Sequence, residues 1–83
     1  MNNRKTILAV IPAYNEEGKI GRVLSKIPPG ILDEVVVVDD CSSDNTSEEA
    51  KAHGAVVIRH SRNRGVGAGI RSGIEYGIER GFD

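Results

Sequence analysis

The run Val35-Val36-Val37-Val38, passing directly into Asp39-Asp40-Cys41-Ser42-Ser43-Asp44-Asn45-Thr46, constrains this chain more than any other feature. A continuous β-branched run bounded by turn residues predicts a strand buried on both faces, the environment of a parallel sheet. The polar residues behind it are turn and helix-capping types. The strand therefore delivers two carboxylates into a loop that opens a helix. In an open parallel sheet the crevice at the carboxyl ends of the strands is where small ligands bind, so these acids are placed at a ligand edge.

The rest of the chain supplies matching units. Ile7-Leu8-Ala9-Val10-Ile11, closed by Pro12, predicts a first strand, and Ala55 to Arg59 a third. After the first strand Asn15 is the expected helix cap, Glu16 and Glu17 suit the positive end of the helix dipole, and Ile20, Val23, Leu24 and Ile27 recur at helical spacing. Pro28-Pro29-Gly30 ends that helix. Thr46 followed by Glu49 fits a capping box for a short second helix ending near Gly54.

A third helix, from about Arg64 to Arg80, is predicted from Ile70, Ile74 and Ile78. It also carries Gly65, Gly69, Gly73, Gly77 and Gly81 at every fourth position. An interior glycine costs up to about 1 kcal/mol relative to alanine, so a compensating close approach by a sheet, backbone or ligand is expected along that stripe.

The pattern βαβαβα with right-handed crossovers predicts an α/β fold with a three-stranded parallel sheet in the order 3-2-1. The first two helices should share one face and the third should take the other. A fourth strand would be expected beyond Asp83, on the free side of the first, so the sheet reads as unfinished. Ile7 to Ile11 carries no charge to discourage edge pairing, which predicts a homodimer formed through that edge.

Residues 1–83 are one small domain, of a size that buries only about 60% of its unfolded surface. The net charge of −1 gives no reason to expect nucleic acid or an anionic membrane as partner. Locally the balance differs. Nine of the twelve acids lie in residues 1–49, whereas Ala50 to Ile74 contains none and carries Lys51, Arg59, Arg62, Arg64 and Arg71, which favours an anionic ligand. Cys41 is the lone cysteine and no cluster has zinc-ligand spacing, so a reducing, cytoplasmic setting is expected. The apolar runs are far shorter than the about 20 residues of a membrane span.

Three segments together carry a family resemblance: Ile11-Pro12-Ala13-Tyr14-Asn15-Glu16, Val38-Asp39-Asp40-Cys41-Ser42-Ser43-Asp44-Asn45-Thr46, and Asn63-Arg64-Gly65-Val66-Gly67-Ala68-Gly69. In order and at this spacing they resemble the N-terminal, nucleotide-binding part of a family 2 inverting glycosyltransferase of the GT-A fold. The Asn-Arg-Gly-Val-Gly stretch looks most like enzymes of the dolichol-phosphate mannosyltransferase type.

The resemblance implies transfer of a sugar from a UDP- or GDP-sugar to an acceptor such as polyprenyl phosphate, in cell wall or glycolipid biosynthesis, at most at the cytoplasmic face of a membrane. It implies that Pro12, Ala13, Tyr14 and Glu16 surround the base and that Asp40 accepts a hydrogen bond from a base ring N–H. Arg71, or Arg64, would reach the diphosphate. Asp39, Ser42, Asp44 and Thr46 are expected to steady the loop.

The Asp-x-Asp segment that would hold Mg2+ or Mn2+, and the acid expected as catalytic base, would fall beyond Asp83 in such a family. The chain alone is therefore expected to lack catalytic residues and to be inactive, with a non-catalytic, self-associating module as the alternative. A dinucleotide-binding half domain fits poorly, because Ile70 stands where the last glycine of G-x-G-x-x-G belongs and the motif follows the third strand instead of the first.

Overall fold

The computed structural model describes residues 7–82. Six elements follow one another: β1 (Leu8–Ala13), α1 (Ile20–Ser25), β2 (Glu34–Asp39), α2 (Thr46–Ala52), β3 (Val56–Arg59) and α3 (Val66–Glu79). The three strands are parallel with β2 in the middle, the order expected from the crossover rule. Val10 pairs with Val36 and Asp39 with Arg59, so β2 and β3 end level with one another.

Alternation along the strands divides the core into two layers. Val37 joins Ala13, Ile20, Leu24, Ala50 and Ala55 on the face covered by α1 and α2, with Ile11, Val35 and Val57 packed at its margin. Val36 and Val38, both fully buried, belong to the other face, where α3 crosses β1 and β2.

That crossing bears out the close approach expected along the glycine stripe of α3, and it turns outward the isoleucines from which the helix is predicted. Its buried positions are Gly69, Gly73 and Gly77, while Ile70, Ile74 and Ile78 are exposed. A Cβ on Gly73 would stand 2.2 Å from Val10 Cγ1, one on Gly77 2.9 Å from Leu8 Cδ2, and one on Gly69 3.3 Å from Pro12 Cβ. The glycine stripe is thus the packing face, seated on the outward residues of β1. The isoleucine stripe, offset by one residue, is turned toward the solvent.

Two capping expectations also change. Asn15 does not cap α1; it sits at φ 51, and its Oδ1 accepts the Ser43 amide at 2.9 Å. The helix begins later, after Lys19, which provides no side-chain cap. Thr46 is the first residue inside α2, not its cap, and Glu49 turns away from a capping box to serve α1 instead.

Candidate functional site

The carboxyl ends of β1 and β2 are joined by a ladder of side-chain to backbone bonds. The amides of Asn15, Glu16, Glu17 and Gly18 donate in turn to Ser42 Oγ (2.8 Å), Thr46 Oγ1 (2.8 Å), Asp44 Oδ2 (3.2 Å) and Glu49 Oε1 (2.7 Å). In return the Asn45 amide donates to Glu17 Oε1 at 3.1 Å. Ser42, Asp44 and Thr46 therefore hold the loop that carries Tyr14 and Glu16. The Thr46 hydroxyl donates to Asp44, and that bond first, with the Glu17 and Thr46 amides, holds the Asp44 carboxyl below its ordinary value.

Asp39 and Asp40 are neighbours in sequence but take opposite faces of the sheet, because successive side chains on a strand alternate. Asp39, fully buried, turns beneath the start of α2, where the Ser42 and Ser47 hydroxyls donate to its carboxylate and Arg59 Nη1 approaches at 3.0 Å. Burial alone would raise its pKa; the bonds from Ser42 and Ser47 and the Arg59 charge lower it.

Asp40 turns to the α3 face. Its Oδ1 accepts from the Arg64 amide at 2.8 Å and lies 2.8 Å from His60 Nδ1, and its Oδ2 accepts from the Gly65 amide at 2.8 Å. The His60 bond first, then the Arg64 and Gly65 amides, hold this carboxyl below the usual range.

A cleft of about 140 Å³ opens beside Asp40, lined by Pro12, Ala13, Tyr14 and Glu16 from the end of β1, Val38 and Asp40 from β2, and Gly65, Val66 and Gly69 at the start of α3. Pro12, Ala13, Tyr14, Glu16 and Asp40, singled out in the sequence, thus meet at one place. Tyr14 is half exposed there. Arg71 lies on the exposed side of α3, outside the lining, and Arg64 reaches Asp40 through its backbone while its side chain is exposed.

Sequence reading missed His60 and Ser72. His60 Nε2 lies 2.9 Å from Ser72 Oγ, which links Asp40 to the middle of α3. The pairing of Asp39 with Arg59 puts the next residues, Asp40 and His60, side by side, and only the strand register carries that information. Among the described residues no group of three or more His, Cys, Asp or Glu is placed to hold a metal ion. Asp39, Asp40 and Asp44 are instead committed to hydroxyl, amide and Arg59 or His60 donors, so these residues do not fit a divalent cation.

The sequence profile described as "Glycosyl transferase family 2" matches residues 8–77. The chain belongs to glycosyl transferase family 2. It is 46% identical over 68 residues, 82% of the chain, to an uncharacterized protein of Methanocaldococcus jannaschii, of which it covers 28%. It is 33% identical to the UDP-N-acetylglucosamine–dolichyl-phosphate N-acetylglucosaminyltransferase of Methanococcus voltae, covering 76% of this chain and 32% of that protein.

Among solved structures, the glucosyl-3-phosphoglycerate synthase of Mycobacterium tuberculosis, in complex with Mn2+, UDP-glucose and glycerol 3-phosphate, superposes on 80% of the chain with a TM-score of 0.70 at 34% identity. The α/β fold is therefore that of the GT-A glycosyltransferases. The family 2 chain spans 27% of that synthase and between 28% and 32% of the two sequence relatives.

Proposed function

We propose that this chain is the donor-binding part of a nucleotide-sugar transferase, and that the cleft beside Asp40 receives the base of UDP or GDP. The observation that carries this reading is the hydrogen-bond state of Asp40. A carboxylate offers about four acceptor sites, and three of those on Asp40 are taken by His60, Arg64 and Gly65. One site, on Oδ2, is left for a single donor, and Asp40 lines the cleft. An acceptor of this kind suits the ring N–H of uracil or guanine and not the corresponding acceptor of cytosine or adenine.

Tyr14 offers a ring to lie against the base, and Pro12, Ala13 and Glu16 complete the walls. Arg64 and Arg71 are the exposed cations available to the diphosphate. The solved relative with UDP-glucose supports a uridine donor, and the dolichyl-phosphate relative supports a polyprenyl phosphate acceptor. Sugar transfer requires a base for the acceptor and positive charge on the leaving diphosphate; this reading assigns the described residues to donor binding. Titration with millimolar UDP and GDP, followed by NMR, should move the Tyr14, Asp40 and Gly65 signals, and Asp40→Asn should need a measurably higher nucleotide concentration for the same response. Absence of any Asp40-dependent response in the native chain would overturn the reading.

A second reading, self-association, is favoured by the outer side of β1. The carbonyls of Ile7 and Ala13 point to β2, so by alternation the peptide groups of Leu8, Val10 and Pro12 face the free edge. Beside that edge Ile7, Leu8, Val10, Ile74, Gly77, Ile78 and Phe82 line an apolar cleft. A second copy would bring both a strand and a matching apolar stripe to it, in one two-fold contact.

A further inference from the structure

We propose that His60, held at its far nitrogen by Ser72, is the positioning residue that aims Asp40 at its ligand. The inference rests on the base-binding reading and adds to it the group that makes the carboxylate selective. An ionised carboxylate only accepts, so the His60 nitrogen facing it must carry a proton; the neutral ring is then the Nδ1–H tautomer, with Nε2 free to accept from the Ser72 hydroxyl. Asp40, His60 and Ser72 thus form a directed chain running from the cleft wall at β2, across the end of β3, to α3.

The order of groups resembles that of a hydrolytic triad, but the geometry assigns another task. Ser72 is absent from the lining of the cleft beside Asp40, and His60 is 6% exposed. No substrate carbonyl approaching through that cleft would meet the hydroxyl. What the chain does control is the rotation of the Asp40 carboxylate about its Cβ–Cγ bond. With Oδ1 occupied by both His60 and the Arg64 amide, Oδ2 keeps only the Gly65 amide and one open site. Without the imidazole, Oδ1 regains an open site and the two oxygens become near-equivalent acceptors. The carboxylate then loses the reason to present one lone pair to the cleft.

The test is a double-mutant cycle on UDP affinity, measured by NMR titration of the full 83-residue chain. His60→Leu should weaken UDP binding by about tenfold, the effect of one misdirected charge-assisted hydrogen bond. His60→Asn, whose side-chain amide can donate from near the Nδ1 position, should recover part of that loss. In the Asp40→Asn background, His60→Leu should cost nothing further, because its effect passes through the carboxylate. Losses that multiply independently in the double variant, or an Asn variant no better than Leu, would overturn the proposal.

A side-chain 15N spectrum separates this outcome from failure of the base-binding reading. A hydrogen-bonded Nδ1–H, with Nε2 shifted by Ser72→Ala, is expected whether or not UDP binds. The Nε2–H tautomer would refute the positioning role directly. A native chain that shows the Nδ1–H form but no UDP response would remove the base and, with it, the ligand at which Asp40 is aimed.

Discussion

At Gly73 a single carbon atom decides whether α3 can lie on the sheet. A Cβ there would meet Val10 Cγ1 at 2.2 Å and Val10 Cβ at 3.1 Å, and valine has no flexible end to swing away. Gly73→Ala should therefore destabilise the chain by about 1–3 kcal/mol, the range for overpacking, and Gly73→Leu by at least as much. Gly67 is the internal control: it is helical and a Cβ would meet nothing within 4 Å. Gly67→Ala should gain up to about 1 kcal/mol from helix propensity. Urea denaturation of the pair checks both signs, and a stabilised Gly73→Ala would mean that α3 does not sit against Val10. The glycine stripe was legible in the sequence as the packing face from the helix-propensity cost it carries; that Val10 is the residue it meets was not, since that contact is set by how α3 crosses β1.

At the scale of elements, the helices depend on residues from neighbouring loops more than on their own caps. The α1 helix is six residues long, has no side-chain cap at Lys19 and has no acid in its first turn. Amides at its start are served from α2: Glu49 accepts from Gly18 at 2.7 Å and Gly21 at 2.6 Å, and these bonds hold the Glu49 carboxyl below its ordinary value. The absence of a Cβ on Gly21 permits this contact, because one would stand 2.8 Å from Glu49 Oε2 and 2.6 Å from His53 Cε1. Glu49→Ala should lower the melting temperature and loosen α1 in amide exchange. Glu48→Ala, which removes only an exposed pair with Lys51 at 3.6 Å, should change little. Equal effects of the two would show that α1 is not capped from α2. Thr46 and Glu49 were legible as hydrogen-bonding residues, but a capping box presumes a local partner, and here the partner lies 28 to 31 positions away.

For the molecule as a whole, the uneven cover of the sheet leads to two expectations. One helix, seated through its glycines, lies over the outer face, and Ile74 and Ile78 remain 53% and 71% exposed beside the open edge of β1. Sedimentation equilibrium at micromolar concentration should report a dimer, and Ile74→Lys should dissociate it without unfolding the chain. A folded monomer of the native sequence would rule out the second copy as the occupant of that edge.

The second expectation concerns acid. Asp39, Asp40 and Asp44 lie below their ordinary 3.8 and Glu49 below its ordinary 4.5. A carboxyl with a depressed native pKa binds its proton less readily when folded than when unfolded. Its contribution is therefore complete above the ordinary value and is lost as pH falls through the native one. The urea midpoint should hold steady in this respect above 4.5 and decline on acidification from there, because the 4.5 of Glu49 is the highest ordinary value among these groups. Asp39→Asn should flatten part of the decline, and a midpoint insensitive to acid would show that these bonds do not stabilise the fold.

The sequence by itself determined the succession of strands and helices, the strand order and the gathering of Pro12, Ala13, Tyr14, Glu16 and Asp40 at one edge of the sheet. The elements and their order follow from continuous β-branched runs, helical spacing and the fixed hand of a parallel crossover, and the grouping of those five residues from the family resemblance of their segments. Tertiary structure alone decided the partners across the chain, such as Glu49 with Gly21, Arg59 with Asp39, and His60 with Asp40 and Ser72. A donor or acceptor satisfies its hydrogen-bonding capacity with whatever group the fold brings within reach, and that reach is set by strand register and helix packing, quantities that no single residue or short motif contains.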